Sequence, residues 1–161
     1  MRQAGNALIS PSRIRVVRHH AGARRLRWHP WALRQLQTLL QEHSFWAQGR
    51  SRKQLLRMLR GSQAVVTAWQ GARLVGFGRA SSDGVFRAVL WDVVVAKEHQ
   101  GQGIGRQLLE QLLAAPALQG VERVYLMTTQ SAGFYEQLGF HAHHGQQLML
   151  RTCSEAALQQ P

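Results

Sequence analysis

Cysteine is nearly missing from this chain: Cys153 stands alone among 161 residues. That excludes an internal disulfide framework and any zinc cluster built on cysteine. Acidic residues are scarce too, with eight Asp and Glu against 20 Lys and Arg, and none before Glu42. Long hydrophobic runs are absent, since nothing approaches the roughly 20 apolar residues of a membrane helix. The front of the chain lacks the apolar stretch of a secretory leader as well. A cytoplasmic protein with no membrane partner is the resulting expectation.

What is present is a folding composition, 45% hydrophobic and 17% charged, of a length that suits one domain. The formal charge is +12. Arg13, Arg15, Arg18, Arg24, Arg25 and Arg27 make residues 1–27 a basic arm, expected to be flexible. Such an arm suits non-specific binding to nucleic acid, has the arginine-rich, acid-poor character of an organellar transit peptide, and reads equally as a solvated tail. Residues 28–152 are expected to form the folded domain and 153–161 a tail.

Periodicity organises the rest. Ile14 to Val17 reads as a short strand. Leu33, Leu36, Leu39 and Leu40 after Pro30 mark one helix, and Leu55, Leu56 and Leu59 between Ser51 and Gly61 mark a second. Ala64–Trp69 and Leu74–Phe77 flank a Gln70-Gly71 turn as a hairpin. Val89–Val95 is nearly continuous in apolar residues, as a strand buried on both faces would be. An amphipathic helix with Ile104, Leu108, Leu109, Leu112 and Leu113 follows, stopped by Pro116. Val121–Met127, a short helix over Gln130–Leu138 and a weak strand at Gln146–Leu150 close the pattern. The expected class is α/β (α+β), with a mixed, mostly antiparallel sheet flanked by helices.

Gln100-Gly101-Gln102-Gly103-Ile104-Gly105-Arg106 sits between the apolar strand and the amphipathic helix. Glycines let backbone approach a ligand closely, and the helix start offers unpaired N–H groups and a positive dipole end. Together these suit a pyrophosphate. A nucleotide-triphosphate loop would require Gly-Lys-Ser/Thr, whereas Arg106 and Gln107 follow Gly105. A dinucleotide loop would require glycine at Arg106 and an acid ending the next strand.

The loop, and Phe134-Tyr135-Glu136-Gln137-Leu138-Gly139-Phe140 downstream, resemble the coenzyme A loop and the Tyr-x-x-x-Gly-Phe segment of the GNAT acetyltransferase superfamily. The resemblance covers about Pro30 to Leu150. Gly78 to Gly84 together with Trp91–Val95 narrow it toward the cyanobacterial and plastid group associated with serotonin and protein-lysine acetylation. It implies acetyl-CoA as cofactor, held by Gln100, Gly101, Gln102, Gly103, Ile104, Gly105 and Arg106, with Val93, Val94 and Val95 along the pantetheine. Tyr135 is then the acid that protonates the departing thiolate.

Many relatives carry Asp or Asn where this chain has Thr128, and Asp-Pro where it has Ala96-Lys97. Asp92 is the remaining candidate for the general base, with a structural aspartate as the alternative. Phe45 and Trp46 fall where relatives place the acceptor entrance, and suit an arylalkylamine. A small-molecule amine or a protein lysine is the expected acceptor, with a homodimer left open. His141, His143 and His144 read as a solvated strand end, with no metal. The rival classes are a basic nucleic-acid-associated protein and a coenzyme A-binding module without catalysis.

Overall fold

The computed structural model describes residues 13–19 and 29–153. Most of the basic arm, His20 included, and residues 154–161 lie outside the described residues. Two compact units divide the chain, Met1–Leu126 and Met127–Pro161.

In the first unit, strand β1 (Ile14–His19) is followed by helices α1 (Pro30–His43) and α2 (Arg52–Arg60). Pro30 opens α1, where a missing N–H costs nothing, and Leu33, Leu36, Leu39 and Leu40 bury one face. Ser44 closes it, its amide and hydroxyl both donating to Leu40 O at 3.1 and 2.8 Å. A single 3-10 turn, Phe45–Ala47, leads toward α2. Ser51 and Gln54 start α2 with a reciprocal capping box, in which Ser51 N donates to Gln54 Oε1 at 2.7 Å. Leu55 and Leu59 are its buried residues, while Leu56 is half-buried.

Strands β2 (Ala64–Gln70), β3 (Arg73–Ser82) and β4 (Arg87–Val95) continue the chain, and β5 (Arg123–Tyr125) follows helix α3 (Ile104–Leu113). They form one five-stranded sheet in the order β1-β2-β3-β4-β5. The first three junctions are antiparallel and β4–β5 is parallel. The expected mixed sheet is therefore what forms.

Helix α3 covers β3 at two glycines. A Cβ at Gly76 would meet Leu108 Cδ1 at 3.1 Å, and one at Gly78 would meet Leu112 Cδ1 at 3.0 Å. Both positions are glycine because the helix lies that close. Ile104, Leu108, Leu109 and Leu112 are all at most 2% exposed beneath it. Burying each such side chain contributes about 1.5–3 kcal/mol. That packing fixes where the first turn of α3 points.

Three expected boundaries move. The strand in the basic arm extends to His19 and pairs along its length with β2, so residues 14–19 belong to the sheet and not to a flexible arm. Arg18 Nη1 donates to Ala114 O at 2.8 Å, placing a cation at the C-terminal end of α3. The strand expected at Val121–Met127 shortens to β5, paired only from Arg87↔Arg123 to Val89↔Tyr125. Gln146–Leu150 forms no strand: Leu148, Met149 and Leu150 are 77%, 84% and 88% exposed, with no neighbouring strand to complete a ladder.

The second unit carries helix α4, Ala132–Glu136, shorter than the expected Gln130–Leu138. Its stop is the expected one. Gly139 takes φ +85°, Gly139 N donates to Glu136 O, and Phe140 N donates to Tyr135 O at 3.1 Å.

Candidate active site

Three features of the first unit converge on β4. The earliest is a β-bulge. Between the pairs Phe77↔Val94 and Arg79↔Trp91, the single residue Gly78 faces two, Asp92 and Val93. Asp92 takes φ +51°, the only described non-glycine residue with positive φ. Aspartate tolerates this conformation better than most side chains. A bulge leaves one residue outside the ladder, so a backbone amide at Asp92–Val93 is re-aimed.

The second feature is an open edge. Because β5 stops pairing at Val89, residues 90–95 of β4 have no strand on that side among the described residues. Backbone groups on that side of Val93, Val94 and Val95 are thus not taken up by a sheet ladder, although Val95 O accepts from the Gln100 side chain. Only Val94 among them is fully buried.

The third is the glycine loop. After the turn Lys97–His99, Gln100 Nε2 donates to Val95 O at 3.0 Å and Gln102 Nε2 to Glu98 O at 3.2 Å. These bonds brace the loop against its own stem. Arg73 pairs with Glu98, whose carboxyl its own backbone N–H and then Arg73 hold below the usual value. Gly101 and Gly103 take φ +76° and +77°, and a Cβ at either would meet nothing within 4 Å. Gly103 is the N-cap of α3 and contributes no side-chain cap. The first helical bond runs from Gln107 N to Gly103 O, leaving the N–H groups of Ile104, Gly105 and Arg106 without intrahelical acceptors. Ile104 is buried, and Arg106 is exposed and forms no ion pair among the described residues. Unpaired amides, a positive helix end and open space at two glycines fit an anionic diphosphate.

Asp92 is held at both of its carboxylate oxygens. Its Oδ1 accepts from Arg50 Nη1 at 3.1 Å and Trp46 Nε1 at 3.3 Å, and Oδ2 accepts from Arg79 Nε at 2.7 Å. The side chain is 5% exposed. Its surroundings are those of a structural aspartate, bonded to side chains from α2's approach, β3 and the 3-10 turn. Trp46 is thereby tied to the bulge, and Phe45 packs edge-on against it at 5.0 Å. Phe45 and Trp46 remain 48% and 39% exposed, so they form a surface and not a core.

Arg50 and Arg79 were not singled out from the sequence. The available signal was charge: no acid lies between Glu42 and Asp83, so a buried Asp92 had to draw on nearby arginines. Arg79 also lies over the Trp91 ring at 5.7 Å, and Trp91 Nε1 donates to Ser81 Oγ.

In the second unit Tyr135 lies against Phe134 and Phe140, with ring centroids 5.1 and 6.1 Å away. Burial pushes its phenol above the ordinary value of 10.0, so it keeps its proton. No group of three or more His, Cys, Asp or Glu among the described residues is arranged to hold a metal.

The family model described as Acetyltransferase (GNAT) family matches residues 22–140. A rice protein named Serotonin N-acetyltransferase 2, chloroplastic (Oryza sativa subsp. japonica), is 41% identical over 96 residues, 56% of this chain and 48% of its own length. An Arabidopsis thaliana protein named GCN5-related N-acetyltransferase 2, chloroplastic, is 42% identical over 74 residues, 45% of this chain and 29% of its own length. The chain thus spans less than half the length of either. Among solved structures, a GNAT-family protein from Xanthomonas campestris pv. campestris superposes with TM-score 0.71 at 28% identity, covering 92% of this chain and 99% of that one. Both plant relatives are named chloroplastic, which overturns the cytoplasmic expectation. A lone cysteine argues for a reducing compartment and cannot tell one such compartment from another.

Proposed function

The chain belongs to the GNAT acetyltransferase family, and from that premise we propose that it transfers acetyl from acetyl-CoA to a primary amine on an aromatic or apolar body. The observation that carries the reading is the glycine loop: two left-handed glycines with open faces ahead of an uncapped helix start. Acetyl-CoA supplies a thioester whose carbonyl carbon the amine attacks directly and whose thiolate leaves. Loop amides from Gly101 to Arg106 hold the diphosphate, and the free edge of β4 from Val93 to Val95 orients the pantetheine arm. The re-aimed amide at the bulge, near Val93, donates to the carbonyl oxygen as charge develops there. Phe45 and Trp46 stack on the acceptor's body. Tyr135 gives its proton to the thiolate, a role its retained proton suits. The attacking amine's proton passes to water, because Asp92 is engaged by Arg50 and Arg79. No covalent acetyl-enzyme forms, as Cys153 lies beyond both motifs.

Thioester turnover separates this reading from that of a silent coenzyme A-binding module. Free thiol released from acetyl-CoA should depend on added primary amine, with one acetylated product per thiol. Tight coenzyme A binding without amine-dependent thiol release across arylalkylamines and lysine peptides would refute it.

A further inference from the structure

The acceptor surface carries more positive charge than its own carboxylate neutralises. Asp92 is a single anion between two arginines, and no other described carboxylate pairs with either. Arg50 spends Nη1 on Asp92 and Met58 Sδ and Nη2 on Trp46 O. Arg79 spends only Nε on Asp92. Among the described residues its Nη1 and Nη2 have no hydrogen-bond partner, although its side chain is only 17% exposed. The guanidinium is held from two sides, by Asp92 at its Nε edge and by the Trp91 ring beneath its face. A planar fork fixed in this way presents two parallel donors at almost no further entropic cost. Trp46, bonded to the same carboxylate, stands beside it with an exposed ring.

From this juxtaposition we infer that the acceptor is an amine that also bears a carboxylate, which the free Nη1 and Nη2 of Arg79 grip while Phe45 and Trp46 carry the body. Asp92 sets the orientation of Arg79 and makes no contact with the acceptor's ammonium. This deepens the proposed acetyl transfer and rests on the reading of Phe45 and Trp46 as the acceptor surface. The predicted acceptor class is therefore aromatic amino-acid-like, and a bare cationic amine is disfavoured by the net charge of the cluster.

Matched pairs that differ only in the carboxylate test it: tryptophan against tryptamine, and phenylalanine against phenethylamine. With the full chain at saturating acetyl-CoA, the carboxylated member of each pair should have the higher kcat/KM by about tenfold or more. Arg79→Lys keeps a cation for Asp92 and loses the fork. It should cut that preference below about threefold, through KM of the carboxylated acceptor, with kcat nearly held. Trp46→Ala should raise KM for all four amines. Equal or better turnover of the decarboxylated amines by the wild type overturns the inference, whether or not the variants fold. So does an unchanged preference in a folded Arg79→Lys protein, while a Trp46→Ala effect on all four leaves the acceptor surface standing. No Trp46→Ala effect on any amine overturns the surface itself, and the inference with it.

Discussion

Gly103 and Gly120 have nearly the same backbone and very different neighbours in sequence. Their φ angles are +77° and +85°, and a Cβ at either meets no atom within 4 Å. Replacing either with alanine should therefore cost the folded state the same thing, the left-handed conformation of an L-residue, about 1–2 kcal/mol. For a domain of this size that lowers Tm by roughly 2–8 °C. Cofactor affinity should then distinguish them. At Gly103 the new methyl projects where a diphosphate would meet the uncapped start of α3, displacing at least one hydrogen bond to a charged oxygen. Such bonds are worth about 1.5–3 kcal/mol, or about 10–150-fold in Kd. Gly120 lies in the turn ahead of β5, outside the loop, and its variant should bind coenzyme A within about twofold of wild type. Calorimetric titration with coenzyme A, beside thermal melts of both variants, makes the comparison. Equal affinity losses in the two, or Gly103→Ala binding as wild type, would refute the loop as the diphosphate site.

Asp92→Asn should destabilise the fold by about 3 kcal/mol, because two part-buried arginines lose their shared anion. Were Asp92 the general base, turnover would instead fall by about 10² or more with denaturant stability unchanged. Arg18→Met should cost about 0.5–1 kcal/mol through the lost cap on α3, read by urea titration. Deleting residues 1–27 should lower stability much further by removing β1, which loss of a merely flexible arm would not do. Tyr135→Phe should lower saturated turnover by about 10²–10⁴ with coenzyme A affinity intact, and a loss under threefold would reassign Tyr135 to packing. In the wild type, a phenol raised by burial stays protonated to higher pH than an ordinary one, so the basic limb of kcat should lie above pH 10.0.

The sequence was most legible where local chemistry dictates structure. Leu33, Leu36, Leu39 and Leu40, the Ser51 cap, and the glycines at 101, 103 and 139 each announce their backbone without help from distant residues. Composition misled at the front, where arginines suggested a solvated arm. Edge strands tolerate charge, and in β1 Arg15 is exposed while the other five residues, Arg18 included, are half-buried. The bulge at Asp92 was invisible because it depends on Gly78 opposite, on another strand. For the same reason the arginines around Asp92 were missed: Arg50 and Arg79 are 42 and 13 residues away in sequence.

Asp92 carries two duties through one side chain and one backbone angle, and this limits how the protein can change. Glycine would relieve φ +51° but leave two arginines facing each other. A longer acid would keep the charge and strain the bulge. In the proposed transfer, drift toward new acceptors is thus channelled away from Asp92 and from the Trp46, Arg50 and Arg79 side chains that hold it. It falls instead on Phe45, whose ring only leans on Trp46, so a substitution there can retune the proposed acceptor surface and leave the bulge in place.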